Sequence, residues 1–472
     1  MQTPVSSTLA STDQPRSSKK MTIRLVIIMA LTGLFFLGYG LTAMDTAVSI
    51  LQGRIAVSLK LLAATVSHQF AWGSEAGYVD LKQILSQYYA HSYRMALHTA
   101  FGGLVISIGI SQFIPALRRR HPVLHRRLGM VVATSMVLST TGAILYLACS
   151  TLNSIYSGPT FFIFLVGLAF LALFAVSQAA LALLSRDFRG HMTWMAIAFA
   201  AYMTAPLLRA DWIVFGNLIP TSLQRINGSG GSFVVVQTLL LMLLWLSFVG
   251  DRDLPASINA RQRACHWPRA VLRLLAILSA VTVVHEGVLA PLGLGLIPGQ
   301  RDVATILSPV ALLWAVAAAV AACWSLNAWD AWISGKRPHM RFLFALALCG
   351  AGAILIGTQL PRQSLDGFIH AYFWIFLGST QWVVLALALL VRPNSMGRNA
   401  WGLVSLFLLW LPGLVPVLVP ALMHFGTTQY EAIIAGTTLA VGAMVTAAIV
   451  TSMGVAVRWR PGFTTPAHTA SL

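Results

Sequence analysis

The sequence predicts an all-α, polytopic integral membrane protein with about twelve transmembrane helices and both termini in the cytoplasm. Hydrophobic residues make up 57% of the 472 residues and charged residues only 9%, and the mean hydropathy is +0.77. A soluble domain carries about 25% charged residues, so the composition points to a lipid bilayer as the surroundings of the chain. Apolar spans separated by loops of alternating charge then give the number of crossings and their direction.

Each predicted span is an apolar run, and about 20 such residues suffice to cross a bilayer core. The spans lie at 23–44, 94–116, 128–149, 160–184, 192–214, 232–250, 271–290, 303–326, 341–358, 369–391, 400–422 and 431–456. The first is interpreted as a retained helix, because its apolar run exceeds that of a signal peptide. The eleventh contains Pro412, Pro416 and Pro420, which predict a kinked or broken helix because proline removes a backbone hydrogen bond.

The positive charges alternate from loop to loop. Arg and Lys occur in both tails and in the loops at 117–127, 185–190, 251–269, 334–340 and 392–398, whereas those at 151–159, 291–302, 359–368 and 423–430 carry few or none. Because basic loops stay in the cytoplasm, both termini are expected there, in the inner membrane of a bacterium. The net charge of +18 therefore reports topology, and no nucleic-acid partner is indicated.

Two halves of six spans are expected. The predicted parts are a disordered cytoplasmic tail at 1–22, a first six-helix bundle at 23–250 with an outer segment at 45–93, a basic cytoplasmic linker at 251–269, a second six-helix bundle at 270–457 and a cytoplasmic tail at 458–472. Interfacial helix is expected within 45–93, and a flexible loop at 215–231, which runs into the sequence NGSGGS. Four tryptophans of the second half are expected to form an interfacial belt, namely Trp314, Trp324, Trp329 and Trp332.

Histidines recur at the ends of spans, where ionisable groups are costly and often functional. On the predicted outer side they are His98, His285, His370 and His424, and near the inner surface they are His125 and His191. In the fifth span, His191 and Arg209 are about five helical turns apart, which places them on one helix face at opposite membrane ends.

One hypothesis is that these histidines bind haem b, or otherwise link the protein to redox chemistry. Imidazoles from different helices are common axial ligands in membrane cytochromes. His125 and His191 would form the inner pair, and His98 would anchor an outer site whose second ligand the sequence does not identify. Arg209 would be an electrostatic partner of the site, and a quinone or another redox carrier would exchange electrons with it.

Two other hypotheses remain open. In a transporter or permease for a small solute, the histidines would line a path with Arg209, Asp211 and Glu286, and two six-helix halves suit that architecture. In a structural or sensory membrane protein there would be no turnover, and the histidines would cap helices or reach the interface. Catalytic residues, the solute and the oligomeric state are not indicated. The four cysteines lack CxxC spacing, so no metal site beyond a haem iron is predicted.

Residues from about 90 to 215 resemble a family of bacterial multi-pass membrane proteins known as domain of unknown function 2306. The resemblance is carried, in order, by His98 with Gly102-Gly103, Gly109-x2-Gln112, His125-Arg126-x2-Gly129, His191-x2-Trp194-Met195 and Leu208-Arg209. It implies a membrane protein and no particular activity. The glycines of these elements are expected to be positions of close packing between helices.

Overall fold

Helices make up almost all of the described chain. The computed structural model of the protein describes residues 23–66, 81–151, 154–155, 158–218, 223–248, 269–284, 301–333, 338–359, 365–390, 396–411, 414–424, 427 and 429–453. No strand occurs among these residues, which confirms the all-α prediction. The predicted tails and all but the last residue of the predicted linker lie outside the described residues.

The helices follow the predicted spans closely. In chain order they are α1 (Ile23–Leu51), α2 (Val57–Thr65), α3 (Leu81–Ala90), α4 (Ser92–Gly109), α5 (Pro115–Arg120), α6 (Pro122–Leu147), α7 (Gly158–Leu184), α8 (Phe188–Leu218), α9 (Leu223–Phe248), α10 (Arg269–Val284), α11 (Arg301–Ile333), α12 (Met340–Gln359), α13 (Leu365–Leu390), α14 (Met396–Trp410), α15 (Val415–His424) and α16 (Gln429–Ser452). A short 3-10 turn, Ile110–Phe113, follows α4. Each predicted span overlaps one long helix, the second also reaches the first two residues of α5, and the eleventh overlaps two helices, α14 and α15.

Seven helices of the described chain are long and apolar enough to cross a membrane. Their spanning segments are Ala30–Leu51, Ser92–Phe113, Pro122–Leu147, Gly158–Leu184, Phe188–Val214, Met340–Thr358 and Ala435–Ser452. Shorter apolar segments occur in α9, α13 and α14. Large apolar side chains such as Leu34 and Phe170 are mostly exposed on the outside of the bundle, as expected for surfaces that face lipid rather than water.

Neighbouring helices pack in the same order in the two halves of the chain. In the first half α1 packs on α4, α4 on α6, α6 on α7, α7 on α8 and α8 on α9, while α4 also touches α8. In the second half α10 packs on α11, α11 on α12, α12 on α13, α13 on α14 and α14 on α16, while α11 also touches α14. The last spans of the two halves, α9 and α16, pack against each other and join them.

Glycines allow the closest helix contacts in the first half, as the sequence predicts. A Cβ atom on Gly40 of α1 would lie 2.5 Å from the carbonyl oxygen of Gly103 in α4, and one on Gly103 would lie 2.5 Å from the carbonyl oxygen of Gly40. At Gly142 of α6, an added Cβ would lie 2.7 Å from the backbone nitrogen of His98. These helices therefore meet backbone to backbone, which a larger residue would prevent.

Two sequence expectations about local structure have different outcomes. The broken eleventh span is confirmed, because α14 ends at Trp410 and the next helix begins at Val415. The flexible loop at 215–231 is wrong in most of its length, since α8 continues to Leu218 and α9 begins at Leu223. A helix satisfies its own backbone hydrogen bonds, which inside a membrane outweighs the weak helix preference of the NGSGGS sequence.

The expected tryptophan belt is also wrong in part. Trp332 is fully buried, and Trp314 and Trp329 are buried as well. Trp332 lies directly over Gly402 of α14, where an added Cβ would be 2.2 Å from the indole ring. These side chains fill the interior of the second half, and at Trp332 the missing side chain of Gly402 leaves room for the indole ring.

We predict that Gly40→Ala destabilises the protein and that Gly38→Ala, two residues away on the same helix, does not. The new methyl group at Gly40 would collide with α4, and such overpacking costs about 1–3 kcal/mol. At Gly38 nothing lies within 4 Å of an added Cβ, so the methyl group meets no protein atom. The measurement is thermal unfolding of the two variants in one detergent. An equal loss of stability in both would contradict the close contact of α1 with α4.

Candidate functional site: a capped cavity in the first half

A cavity of about 300 Å³ lies between α1, α4, α6, α7 and α8, and α2 and α3 cover one end of it. We call it the capped cavity. Most of its wall is apolar, and polar side chains project from several helices. The polar lining residues are Tyr39, Thr42, Thr46, Ser58, Tyr88, His98, Thr99, Thr140, Tyr146, Tyr202, Thr204 and Arg209. An apolar enclosure with a few convergent polar groups is the usual form of a small-molecule site, and the volume lies at the lower end of the range for such sites, about 300–1,000 Å³.

Polar contacts at the end of α1 hold the cover in place. One oxygen of the Asp45 carboxylate accepts a hydrogen bond of 2.9 Å from the backbone N–H of Val57, at the first turn of α2. The other oxygen pairs with the Arg54 guanidinium at 3.1 Å. At the next residue of α2, the hydroxyl group of Ser58 lies 2.9 Å from that of Thr46. The start of α2 is therefore fixed to the end of α1 by contacts of the Asp45 and Thr46 side chains.

His98 is fixed by α6. Its Nδ1 lies 3.0 Å from the carbonyl oxygen of Ser139, and because a carbonyl can only accept, Nδ1 carries the hydrogen. The Ser139 hydroxyl in turn donates to the carbonyl oxygen of His98 at 2.8 Å. Gly142 on α6 provides the room for this approach. When the imidazole is neutral, this tautomer leaves Nε2 as a hydrogen-bond acceptor or a ligand nitrogen.

Two tyrosines contribute hydroxyl groups that retain their protons. The buried Tyr202 hydroxyl lies 2.7 Å from the Thr140 hydroxyl and donates to the carbonyl oxygen of Met136, which ties α8 to α6. Burial raises the pKa of the Tyr88 phenol, and the positive charge of Arg209 opposes this effect. Both hydroxyls can therefore act as neutral donors or acceptors at the cavity.

Arg209 brings a positive charge to this cavity. Its guanidinium lies 4.6 Å from the ring centre of Trp212 and donates one hydrogen bond of 3.3 Å to the carbonyl oxygen of Ala205, one turn earlier in α8. Among the described residues that line the cavity, none is Asp or Glu. The nearby Asp211 forms its hydrogen bond with Gln237 of α9.

A second group of histidines lies at the opposite end of the same helices. His191 Nδ1 is 3.0 Å from the carbonyl oxygen of Ala179 in α7, so this ring is also held by a main-chain acceptor. His125, near the start of α6, is within electrostatic range of His191 and of Arg118. Its Nδ1 is buried without a hydrogen-bond partner in the described part of the chain. The two histidines singled out as an inner pair thus lie near each other.

The other predicted residues separate in space. His98 and Arg209 share the capped cavity, whereas His191, expected with Arg209 along one face of a polar path, is not among the residues that line it. His424 is exposed at the end of α15, in the other half. His285 and Glu286 lie outside the described residues, and for His370 the structure describes only the helix and not the side chain.

Sequence reasoning missed most of the polar wall. One signal was available: Tyr39, Thr42 and Thr46 recur at helical spacing in an otherwise apolar first span and so form a polar stripe on one face. The contributions of Ser58 and Tyr88 had no such signal. Those residues reach the cavity only because the short helices α2 and α3 fold back over the bundle, which hydropathy does not predict.

Comparison with known proteins shows that part of the first half is similar to a family of membrane proteins. Residues 95–246 match the family model described as "Predicted membrane protein (DUF2306)". The match covers about a third of the chain, from α4 to α9, and confirms the resemblance that the sequence elements indicate. It includes His98, His125, His191 and Arg209. No curated protein and no solved structure gives a significant match.

Proposed function

We propose that this membrane protein binds a small amphipathic molecule in the capped cavity and acts in the recognition or transport of that molecule. The observation that carries the proposal is the cavity itself, an apolar space with one arginine, one oriented imidazole and several hydroxyls at its wall. A protein interior is normally close-packed, and an unfilled space of this size costs stability. A bound molecule with an apolar body and a polar end would restore the missing contacts.

The cover over the cavity supports binding rather than free diffusion of solute. The start of α2 is held to α1 at Asp45 and Thr46, and its end is held to α8 by a hydrogen bond of 2.9 Å from the Asn217 amide to the carbonyl oxygen of Thr65. Entry from the adjacent water would require these contacts to open. A transporter would open them in a cycle, and a sensory protein would signal their state.

We predict that Ala169→Phe abolishes binding of a small amphipathic probe. Ala169 lines the cavity on α7, and a phenyl group there would occupy the space. The probe is tritiated octanol, and its binding to the detergent-purified full-length protein is measured by scintillation proximity. Affinity should fall at least tenfold in this variant.

The matched control for that experiment is Ala180→Phe on the same helix. Ala180 is exposed on the outside of the bundle, so the new ring would face detergent and leave the cavity open. Absence of octanol binding to the unchanged protein, or an equal effect of the two substitutions, would contradict the proposal.

A second candidate function, haem b binding, is favoured by the way two histidines are held. Metal-ligating histidines usually donate their second ring N–H to a carbonyl or carboxylate, which leaves the other nitrogen for the metal. His98 and His191 both have this arrangement, and His191 has His125 nearby. His125 and His191 would hold the iron, and the haem would supply electron exchange with a quinone or another redox partner.

The haem proposal predicts a Soret band in protein purified from haem-replete cells, with a shift on reduction by dithionite. His191→Ala should remove the band, because it removes one of the two ligands. The control is His121→Ala, since His121 is exposed on the same turn as His125. A featureless spectrum of the unchanged protein would rule this function out and leave the histidines as helix-to-helix contacts.

The proposed topology is twelve crossings in two six-helix bundles, with the basic linker and both termini in the cytoplasm of a bacterial inner membrane. Support comes from the alternating charge of the loops and from the repeated order of helix neighbours in the two halves. With this topology, the cover formed by α2 and α3 faces the outside of the cell.

The topology predicts that Cys149, exposed just beyond α6, reacts with a membrane-impermeant maleimide on intact cells. Cys149→Ser should remove the labelling, and the buried Cys349 should stay unlabelled in folded protein. Labelling of Cys149 only after the membrane is permeabilised would reverse the proposed orientation.

A further inference from the structure

Arg209 is the feature of the capped cavity that its surroundings do not explain. A guanidinium group has five N–H donors and a permanent charge. In the structure one hydrogen bond goes to the carbonyl oxygen of Ala205, and Trp212 covers one face of the group. Both contacts come from within α8, so neither ties Arg209 to a neighbouring helix.

The nearby carboxylates of the described chain are engaged elsewhere. Asp45 is bound by Arg54 and by the backbone N–H of Val57. Asp211 interacts with Gln237 on α9. No ion pair joins Arg209 to a carboxylate in the described part of the chain. The positive charge of Arg209 is therefore balanced by no acidic side chain there.

We infer that the capped cavity takes an organic monoanion, a carboxylate with an apolar body, and that Arg209 binds its charged group. A partly buried charge without a partner is costly, and an oppositely charged group with good geometry offsets that cost. The fork of a guanidinium matches the two oxygens of a carboxylate. Among the described lining residues Arg209 is the one with a permanent positive charge, which favours a monoanion over a phosphate dianion.

The rest of the wall fits the apolar part of such a molecule. Phe161, Phe164, Leu165 and Leu168 of α7 line the cavity. Burial of each CH₂ group against such a surface contributes roughly 0.8 kcal/mol. This inference rests on the proposed function, because it assigns a substrate class to the same cavity.

The test compares octanoate with octanol, which share one chain and differ in their head group. At about pH 7.5 octanoate is ionised, since ordinary carboxyl pKa values lie near 4. Binding of each tritiated probe to the full-length, detergent-purified protein is measured by scintillation proximity. We expect octanoate to bind about tenfold more tightly than octanol, because charge-assisted hydrogen bonds are roughly twice as strong as neutral ones.

Arg209→Gln should remove the preference for octanoate, so that the two probes bind this variant with similar affinity, and thermal unfolding in the same detergent reports whether the variant is folded. Arg209→Lys should keep part of the preference, because lysine supplies the charge but not the bidentate fork. If Arg209→Gln does not fold, the probe comparison in the unchanged protein and in Arg209→Lys decides the question.

The outcomes separate this inference from the proposed function. The monoanion would be overturned if the unchanged protein bound both probes with equal affinity, or if the preference for octanoate persisted in Arg209→Gln. In either case, octanol binding that is sensitive to Ala169→Phe would still support the cavity as a binding site. Failure of both probes to bind would overturn the proposed function and this inference together.

Discussion

The backbone contact between Gly40 and Gly103 is the constraint on which the first half of the structure depends. Without side chains at these positions α1 lies directly against α4, and a Cβ on either glycine would be 2.5 Å from the opposite carbonyl oxygen. In a membrane, association of helices depends on such packing, because lipid is as apolar as the helices themselves. The contact turns Tyr39 and Thr42 toward the cavity.

Several polar groups inside the first half join neighbouring helices. His98 pairs with Ser139, Tyr202 pairs with Thr140, and His191 pairs with the carbonyl oxygen of Ala179, each across a helix boundary. Such bonds satisfy buried groups and hold neighbouring helices in register. Arg209 differs because its hydrogen bond returns to its own helix. Because Arg209 also carries a permanent charge, this arrangement fits the inferred role of binding an anionic ligand.

Hydropathy and loop charge were sufficient to locate the helices, because lipid requires nearly every spanning residue to be apolar and helical. They did not predict which side chains pack inside the bundle. Trp332, for example, lies in the interior because Gly402 has no side chain and leaves room for the indole ring. The histidines were found because charge inside a membrane is conspicuous. The grouping of the histidines in space was not predicted, because the sequence of a span does not show that His98 contacts Ser139 while His191 contacts α7. The cavity was missed because the pattern that predicts interfacial helix within 45–93 does not show that the short helices α2 and α3 fold back over the bundle.

The position of the cavity bears on which functions are physically reasonable. In many transporters built from two repeats, the solute lies between the halves, so that rocking of one half exposes it to either side. Here every described lining residue belongs to the first half, between Tyr39 and Trp212. The joining helices α9 and α16 contribute none of them. Motion of one half against the other would move all the described lining residues together, so in the proposed function we expect access to depend on local movement of α2 and α3, which cover one end of the cavity. A molecule bound here would be held or sensed by one half, and the second half would serve to transmit or anchor that state.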